Sequence, residues 1–503
     1  MNKKYILAID QSTSGTKAVL FTGDCAVHRR VTLAHAQIHP RTDWLEHDPE
    51  EIAANVRKAM VDVLREGHAA WDEVAAISVT NQRETGMAWD RETGKPLYRA
   101  IVWQCPRARD ICEHIGSIPG AADSLHRKTG LHLSPYFTAP KIRWMLDNIA
   151  GARETAASGR LMFGTMDSWV LWNLTGGKVH ATDYSNASRT MLLNINEMKW
   201  DGELLDIFGI PGGAMPEIKL SDSIFGYTAG CAEIPDGIPI SGVMGDSHAA
   251  LFGQNCYRTG MTKATYGTGS SVMMNIGERP VYSSNGIVTS IGWASSEDTV
   301  YVLEGNINST GKTLQWLAEN TGLIKSPGEA GPIAALLKDN GGVYLVPAFT
   351  GLGAPYWDND ARGIITGITL GSTREHIVRA AEESIAYQIT DIIDRMQMDA
   401  DIGLTELRVD GGPTRDSFLM QFQSDISGTK VVVPRIEELS ALGSANMAGL
   451  AVGFWRSRAE IEERRETLAE YSSSMEDETK IKCRRSWHDA VRRAVSPNNI
   501  NQN

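Results

Sequence analysis

The sequence predicts an α/β protein built from two related halves, and three observations carry that prediction. Tyr5–Phe21 (YILAIDQSTSGTKAVLF) reads as a strand, a turn of small hydroxyl-bearing residues, and a second strand. Thr262–Ile276 (TKATYGTGSSVMMNI) repeats the plan about 250 residues later, the kind of self-similarity that marks an internal repeat. Apolar strand patterns also alternate with helical ones along both halves. With 503 residues the chain is long enough for two large domains or three small ones, at roughly 150 residues per domain. The junction is expected near 250–260, giving units 1–252 and 253–503.

Each hairpin turn has unusual chemistry. Ser12, Thr13, Ser14, Gly15 and Thr16 bring hydroxyls and free backbone N–H groups to one small volume, as a phosphate cradle requires. Asp10 stands at the mouth, where its charge repels phosphate unless a divalent cation lies between them. It is therefore a candidate Mg²⁺ anchor, through water, because Mg²⁺ dehydrates reluctantly. Ordinary turn-forming residues would account for either hairpin alone. The pair points instead to two lobes closing on one phosphate chain.

Along the chain, short strands run to about His39. Asp48 is then an N-cap, Pro49 fits the first helical position and Glu51 completes a capping box. The helix that follows carries Ile52, Val56, Met60 and Val63 on one face. Strands Val74–Thr80 and Tyr98–Val102 end in Asn81-Gln82-Arg83-Glu84 and Trp103-Gln104. Ligand groups collect at such carboxyl ends in open α/β sheets. Helices are expected from about Pro140 and over Asp167–Leu174, and Ile238–Gly245 is an apolar strand ending at Asp246. In the second half, strands are expected at Val300–Glu304, Val343–Ala348 and Leu407–Val409, and helices at Thr313–Glu319 and Glu375–Met396. Ser440–Gly453 is a helix of small residues, suited to close packing against another backbone or a ligand. The charge-rich tail from Ser457 reads as a peripheral helix with Trp487, Val491 and Ala494 inward.

Composition excludes several classes. The net charge is −12, which argues against a nucleic-acid or anionic-membrane surface. Six cysteines show no CxxC pair or zinc-like spacing and read as reduced thiols. The apolar run after Lys3-Lys4 stops at Asp10, too short for a signal peptide, and no later run approaches a membrane span, so a cytoplasmic protein is expected.

Asp246 is the best candidate base. A carboxylate with an ordinary pKa near 4 is ionised at neutral pH and can accept a hydroxyl proton during phosphoryl transfer. The same residue could simply cap a strand–helix turn. Arg83 and Glu84 could form a surface ion pair, but a fork donor beside an acceptor also suits a polyhydroxylated substrate. Gly411-Gly412 after a strand permits close approach to a planar base, or marks a turn. His248 reads as structural. Gly305–Thr313 looks like a P-loop but has five residues between the glycines where the motif needs four.

These residues bring the chain to a resemblance. It resembles the FGGY carbohydrate kinases and within them is most similar to the glycerol kinases, from about residue 5 to 455. The resemblance is carried by AIDQSTSGTKAVLF, WLEHDPEEI, TNQRETGMAWDRETGKPLYRAIVWQ, GTMDSWVLWNLTGGKVHATDYSNASRTML, GDSHAALFGQ, YGTGS, VPAFTGLGAPYWDNDARG and VDGGPTRDSFLMQFQSDI. Tyr136–Trp144 matches the family's first signature. The second, around Gly363–Glu383, matches except that Glu382 stands where an apolar residue is usual. The resemblance implies a two-domain actin/hexokinase-like (ribonuclease H-like) fold whose interdomain cleft closes over MgATP, and a homodimer. Carried over by position, Asp246 would be the general base and Asp10 the Mg²⁺-linked carboxylate. Thr13, Ser14, Lys17 (usually Arg) and Thr268 would serve the phosphates. Gly311, Gln315, Gly412 and Asp416 (usually Asn) would line the nucleotide. Arg83, Glu84, Trp103 and Tyr136 would hold a small polyol or ketose.

Two departures bear on the substrate. Ser247 stands where the glycerol kinase pattern has Gln, and Ser271 where it has the Phe that packs a three-carbon backbone. More room and more hydrogen-bonding capacity predict a four- or five-carbon polyol or ketose. Thr228–Pro239 lacks the Gly-rich basic loop associated with fructose-bisphosphate inhibition, so none is expected. A non-catalytic, actin-like ATP-switched module would keep both hairpins but needs no base beside a polyol cleft.

Overall fold

The computed structural model describes residues 3–283 and 286–496. Strands β1 (Tyr5–Gln11) and β2 (Gly15–Thr22) form the first hairpin, with Asp10 opposite Lys17, and β3 (Val27–Ala34) extends it. Helix α1 (Pro49–Glu66) then crosses to β4 (Val74–Asn81), which lies parallel to β1, and β5 (Pro239–Gly245) lies parallel to β4. The strand order is β3-β2-β1-β4-β5, with the short strand Gly226–Tyr227 at the far edge. Asp48 caps α1 by accepting from Glu50 N–H at 2.9 Å. Glu51 does not complete the expected box, because its carboxylate accepts from the Ala36 N–H beyond β3 instead. Helix α2 (Asp246–Gly253) leads out of β5.

The second half reuses this topology. Strands β6 (Met261–Tyr266) and β7 (Ser270–Gly277) are the second hairpin, followed by β8 (Val288–Ala294) and β9 (Thr299–Ile307). Helices α3 (Gly311–Trp316) and α4 (Arg374–Ala400) precede β10 (Glu406–Asp410), parallel to β6. Helix α5 (Ser417–Ser427) leads to β11 (Val431–Pro434), parallel to β10. The order β9-β7-β6-β10-β11 matches that of the first sheet, so the repeat read from the two turns is a repeat of the whole sheet.

Helix α6 (Leu439–Ala451) explains its small residues by where it packs. A Cβ on Gly443 would stand 1.7 Å from the Ala249 carbonyl of α2, and one on Gly253 would stand 2.3 Å from the Leu439 carbonyl. Backbones this close exclude large side chains at the contact, so the stretch from 440 onward is rich in glycine, alanine and serine. The two helices also exchange cores. Leu439, Ala441, Leu442, Ala445 and Ala448 of α6 pack with Ile6, Ala8, Val19 and Phe21 of the first sheet. Ala249, Leu251 and Phe252 of α2 pack with Met261, Met273, Trp293 and Val302 of the second.

The tail departs from a plain helix. Strand β12 (Thr467–Tyr471) pairs antiparallel with β11 before α7 (Asp477–Ala494) begins. Trp487 of α7 is fully buried, stacks on Tyr387 at 5.0 Å and donates to Asp391 at 2.7 Å, so the helix is part of the second core. Likewise only Ala100–Ile101 of the expected strand 98–102 pairs.

Candidate active site

A cleft of about 710 Å³ opens where the two hairpins face each other. Thr13, Arg83, Glu84, Trp103, Tyr136, Asp246 and Ser247 line it from the first half, and Thr268 and Ser271 from the second. The two turns that organise the sequence thus converge on one volume.

The strand ends explain the positions. Asp246 is the first residue of α2, directly after β5; its Oδ1 accepts the Ser247 N–H at 2.6 Å and its side chain keeps 33% exposure. Arg83, after β4, is buried with its Nε 3.1 Å from Asp246 Oδ1. The Arg83 fork donates to both Glu304 oxygens of β9, at 2.9 and 2.8 Å. Arg189 Nη1 lies 3.0 Å from Glu304 Oε2, and its Nε donates to Glu84 Oε1 at 2.6 Å. Arg83 and Glu84 are therefore not partners of each other or of solvent. They are separate links in a chain, Asp246–Arg83–Glu304–Arg189–Glu84, that is buried from Arg83 to Glu84 and joins the two halves. Burial alone would raise the Glu304 carboxyl, but Arg189 and Arg83 overcome it and hold it well below the usual carboxylate range. Glu84 takes a left-handed backbone, φ +59°, which a non-glycine residue holds only when its surroundings over-determine it.

Glu304 and Arg189 were missed from sequence. A lone carboxylate inside the apolar strand YVLEGNI was the available signal, since a buried charge requires a partner.

The first hairpin reaches this wall directly: Trp103 Nε1 donates to Thr13 Oγ1 at 3.0 Å, and Tyr136 meets the Trp103 ring edge-on at 5.4 Å. Asp10 is buried, and burial pushes its carboxyl up to about 6 against the pull of Lys17, with the Asp246 charge adding to the rise. Lys17 lies 3.8 Å from Asp10 but donates to Glu438 at 2.8 Å, so two carboxylates hold it away from the cleft lining. Ser14 sits exposed at the turn. Among the described residues no group of three or more His, Cys, Asp or Glu could hold a metal ion unaided. A divalent cation fits at Asp10 only when other oxygens, such as those of a phosphate chain, complete its shell.

The second hairpin is pinned to α3. Gly311 N–H donates to Gly267 O at 3.0 Å, and Lys312 N–H to Thr268 O at 3.0 Å. Gly305 lies within β9 against Ile392, not in a loop. The P-loop look-alike therefore has neither the loop nor the free amides of a phosphate cradle.

Beyond α3 lies a second cavity of about 530 Å³, bounded by Gly311, Leu314, Pro332, Ala335, Glu382, Gly412, Asp416 and Phe418. It holds three of the four residues expected around a nucleotide. Gln315 is the exception: it is exposed and donates to Glu319 at 2.9 Å on the solvent side of the helix. Asp416 caps α5, accepting from Phe418 and Leu419 N–H.

No helix among the described residues is long and apolar enough to cross a membrane. The chain matches the N-terminal domain model of the FGGY family of carbohydrate kinases over residues 5–253 and the C-terminal domain model over 262–452. It is 50% identical to "Glycerol kinase 1" of Thermotoga maritima, over 98% of this chain and 100% of that one. To the glycerol kinase of Halothermothrix orenii it is 46% identical, over 99% of each. Plasmodium falciparum glycerol kinase, solved with ADP, superposes with a TM-score of 0.94 at 38% identity, covering 99% of both chains. A xylulose kinase from Lactobacillus acidophilus shares the fold at 21% identity and a TM-score of 0.85. With both halves matched and half the residues shared end to end, the chain belongs to the FGGY family of carbohydrate kinases and is an ATP-dependent phosphotransferase acting on an alcohol.

Proposed function

We propose that the enzyme phosphorylates a hydroxyl of a small polyol held in the cleft between the hairpins, with Asp246 as general base. The observation that carries this reading is Asp246 itself: partly open to the cleft, oriented by Arg83 Nε at 3.1 Å, and set beside Ser247 and Ser271. Arg83, Glu84, Trp103 and Tyr136 position the polyol. Asp246 takes the proton of the bound hydroxyl as its oxygen attacks the γ-phosphorus, and the bond to the β-phosphate oxygen breaks to release ADP. Thr13, Ser14 and Thr268 offer turn hydroxyls and amides to the phosphates, and Lys17 offsets the Asp10 charge. Asp10 would hold Mg²⁺ through water, and the ion would supply neutralisation of phosphate charge. Gly311, Gly412 and Asp416 border the base. In this reading 1–252 supplies acceptor and base, 253–503 supplies the nucleotide site, and the protein is a cytoplasmic homodimer.

Glycerol is the acceptor that full-length similarity to glycerol kinases supports. A polyol or ketose of four or five carbons is the second reading, favoured by the small hydroxyl side chains of Ser247 and Ser271 on the cleft lining, the Ser271 Oγ lying 3.5 Å from Glu304 Oε1. Steady-state kinetics on glycerol, erythritol, erythrulose and xylulose decide between them. A clear advantage for glycerol in kcat/KM ends the longer-substrate reading, and no turnover of any ends the kinase assignment of the cleft.

A further inference from the structure

Helix α4 carries two adjacent glutamates in opposite circumstances. Glu383 is fully engaged: Arg379 Nε donates to it at 2.7 Å and Asn340 Nδ2 at 2.9 Å. Glu382 has no exposed surface, and neither of its carboxyl oxygens has a hydrogen-bond partner. It borders the second cavity, where Leu314, Pro332, Ala335 and Phe418 make the surroundings largely apolar. Among the described residues no cation pairs with it, and Asp416 borders the same cavity. Burial first, and then the Asp416 carboxylate, hold the Glu382 carboxyl well above the usual carboxylate range.

An unpartnered buried carboxyl is destabilising unless something completes it. This one belongs to a residue on the border of the cavity beyond the phosphate hairpins, just beneath its surface. A neutral carboxyl offers one O–H donor beside one carbonyl acceptor. Adenine presents the complement along one edge, the 6-amino donor next to the N7 acceptor, whereas guanine presents two acceptors there. An ionised carboxylate, with acceptors only, would match neither edge.

We propose that Glu382 selects adenine over guanine, its O–H donating to a ring nitrogen of the base and its carbonyl accepting from the 6-amino group. The inference rests on the kinase reading above and adds a specificity residue to it. The carboxyl that is unsatisfied without nucleotide becomes satisfied with it, so the site favours the correct base twice.

The test compares nucleotides at the polyol that the enzyme turns over fastest. On the unmodified protein, purine riboside 5′-triphosphate, which lacks the 6-amino group, has a kcat/KM about tenfold or more below that of ATP, expressed mainly in KM for nucleotide. Glu382→Leu lowers the ATP-to-GTP ratio of kcat/KM about tenfold or more. Glu382→Gln, which keeps one donor and one acceptor, holds that ratio within about threefold. Equal use of ATP and purine riboside triphosphate by the unmodified protein, or an unchanged ratio in Glu382→Leu, overturns the proposal while leaving the kinase reading intact. Failure of every nucleotide to phosphorylate any polyol overturns both.

Discussion

The two hairpins share a backbone plan and differ in chemistry. In the first, Asp10 and Lys17 face each other across the strands; in the second the corresponding pair in the register is Thr265 and Ser271, flanking a neutral Gly267-Thr268-Gly269 turn. One hairpin therefore carries a charged pair behind its turn and the other only dipoles. Charge is the costlier device to bury, and the structure places it where Lys17, Glu438 and a candidate cation can balance it. The neutral turn is instead stiffened by its ties to α3. A duplicated fold thus divides its labour: the ionic half is suited to chemistry, and the neutral half to holding a phosphate chain still.

The largest effect expected outside the base itself comes from cutting the link between the halves. Glu304→Gln leaves Arg83 and Arg189 facing an uncharged amide in a buried site, and breaking a buried ion pair typically costs about 3–5 kcal/mol. The denaturation midpoint should fall accordingly, and KM for the polyol should rise. A midpoint unchanged from the parent would mean that the network does not join the halves.

Next is the charged hairpin. Asp10→Asn should lower kcat/KM for MgATP about a hundredfold and raise the Mg²⁺ concentration needed for half-maximal rate, whereas Thr265→Val on the neutral hairpin should change neither beyond about threefold. A similar loss in both variants would erase the proposed division of labour. In the acceptor pocket, Ser247→Gln with Ser271→Phe should shift the preference toward glycerol over four-carbon substrates by about tenfold, within the range one methylene's worth of packing commands. The smallest effect belongs to Lys312→Ala. Its backbone N–H is already committed to Thr268 and its side chain is exposed, so ATP affinity measured by calorimetry should change by less than about threefold. Loss of all ATP binding would restore the P-loop reading.

Much of this was legible in the sequence because it is local. Turn hydroxyls, the strand ending at Asp246 and the small-residue helix each follow from neighbouring residues, and each stands where the pattern indicated. What sequence could not give is which residues from distant segments meet. Glu304 and Arg189 lie 115 residues apart (304 − 189) and find each other only when the two sheets face. Arg83 and Glu84 look like a pair because they are adjacent, yet they diverge to different partners. Gln315 shows a related limit: helical phase decides which side of a short helix faces the cavity, and here that side chain turns to Glu319 and solvent. The strand at 467–471 was hidden because charge patterning resembles a helix when the partner strand is out of view.

Binding and turnover measured together on Asp246→Ala test the convergence of hairpins and base most directly. With the phosphate cradle untouched, the Kd for ATP should stay within about threefold of the parent, while phosphoryl transfer to the polyol falls by about a thousandfold, the scale of a lost general base. Ordinary turnover in that variant, or abolished ATP binding, would contradict the account.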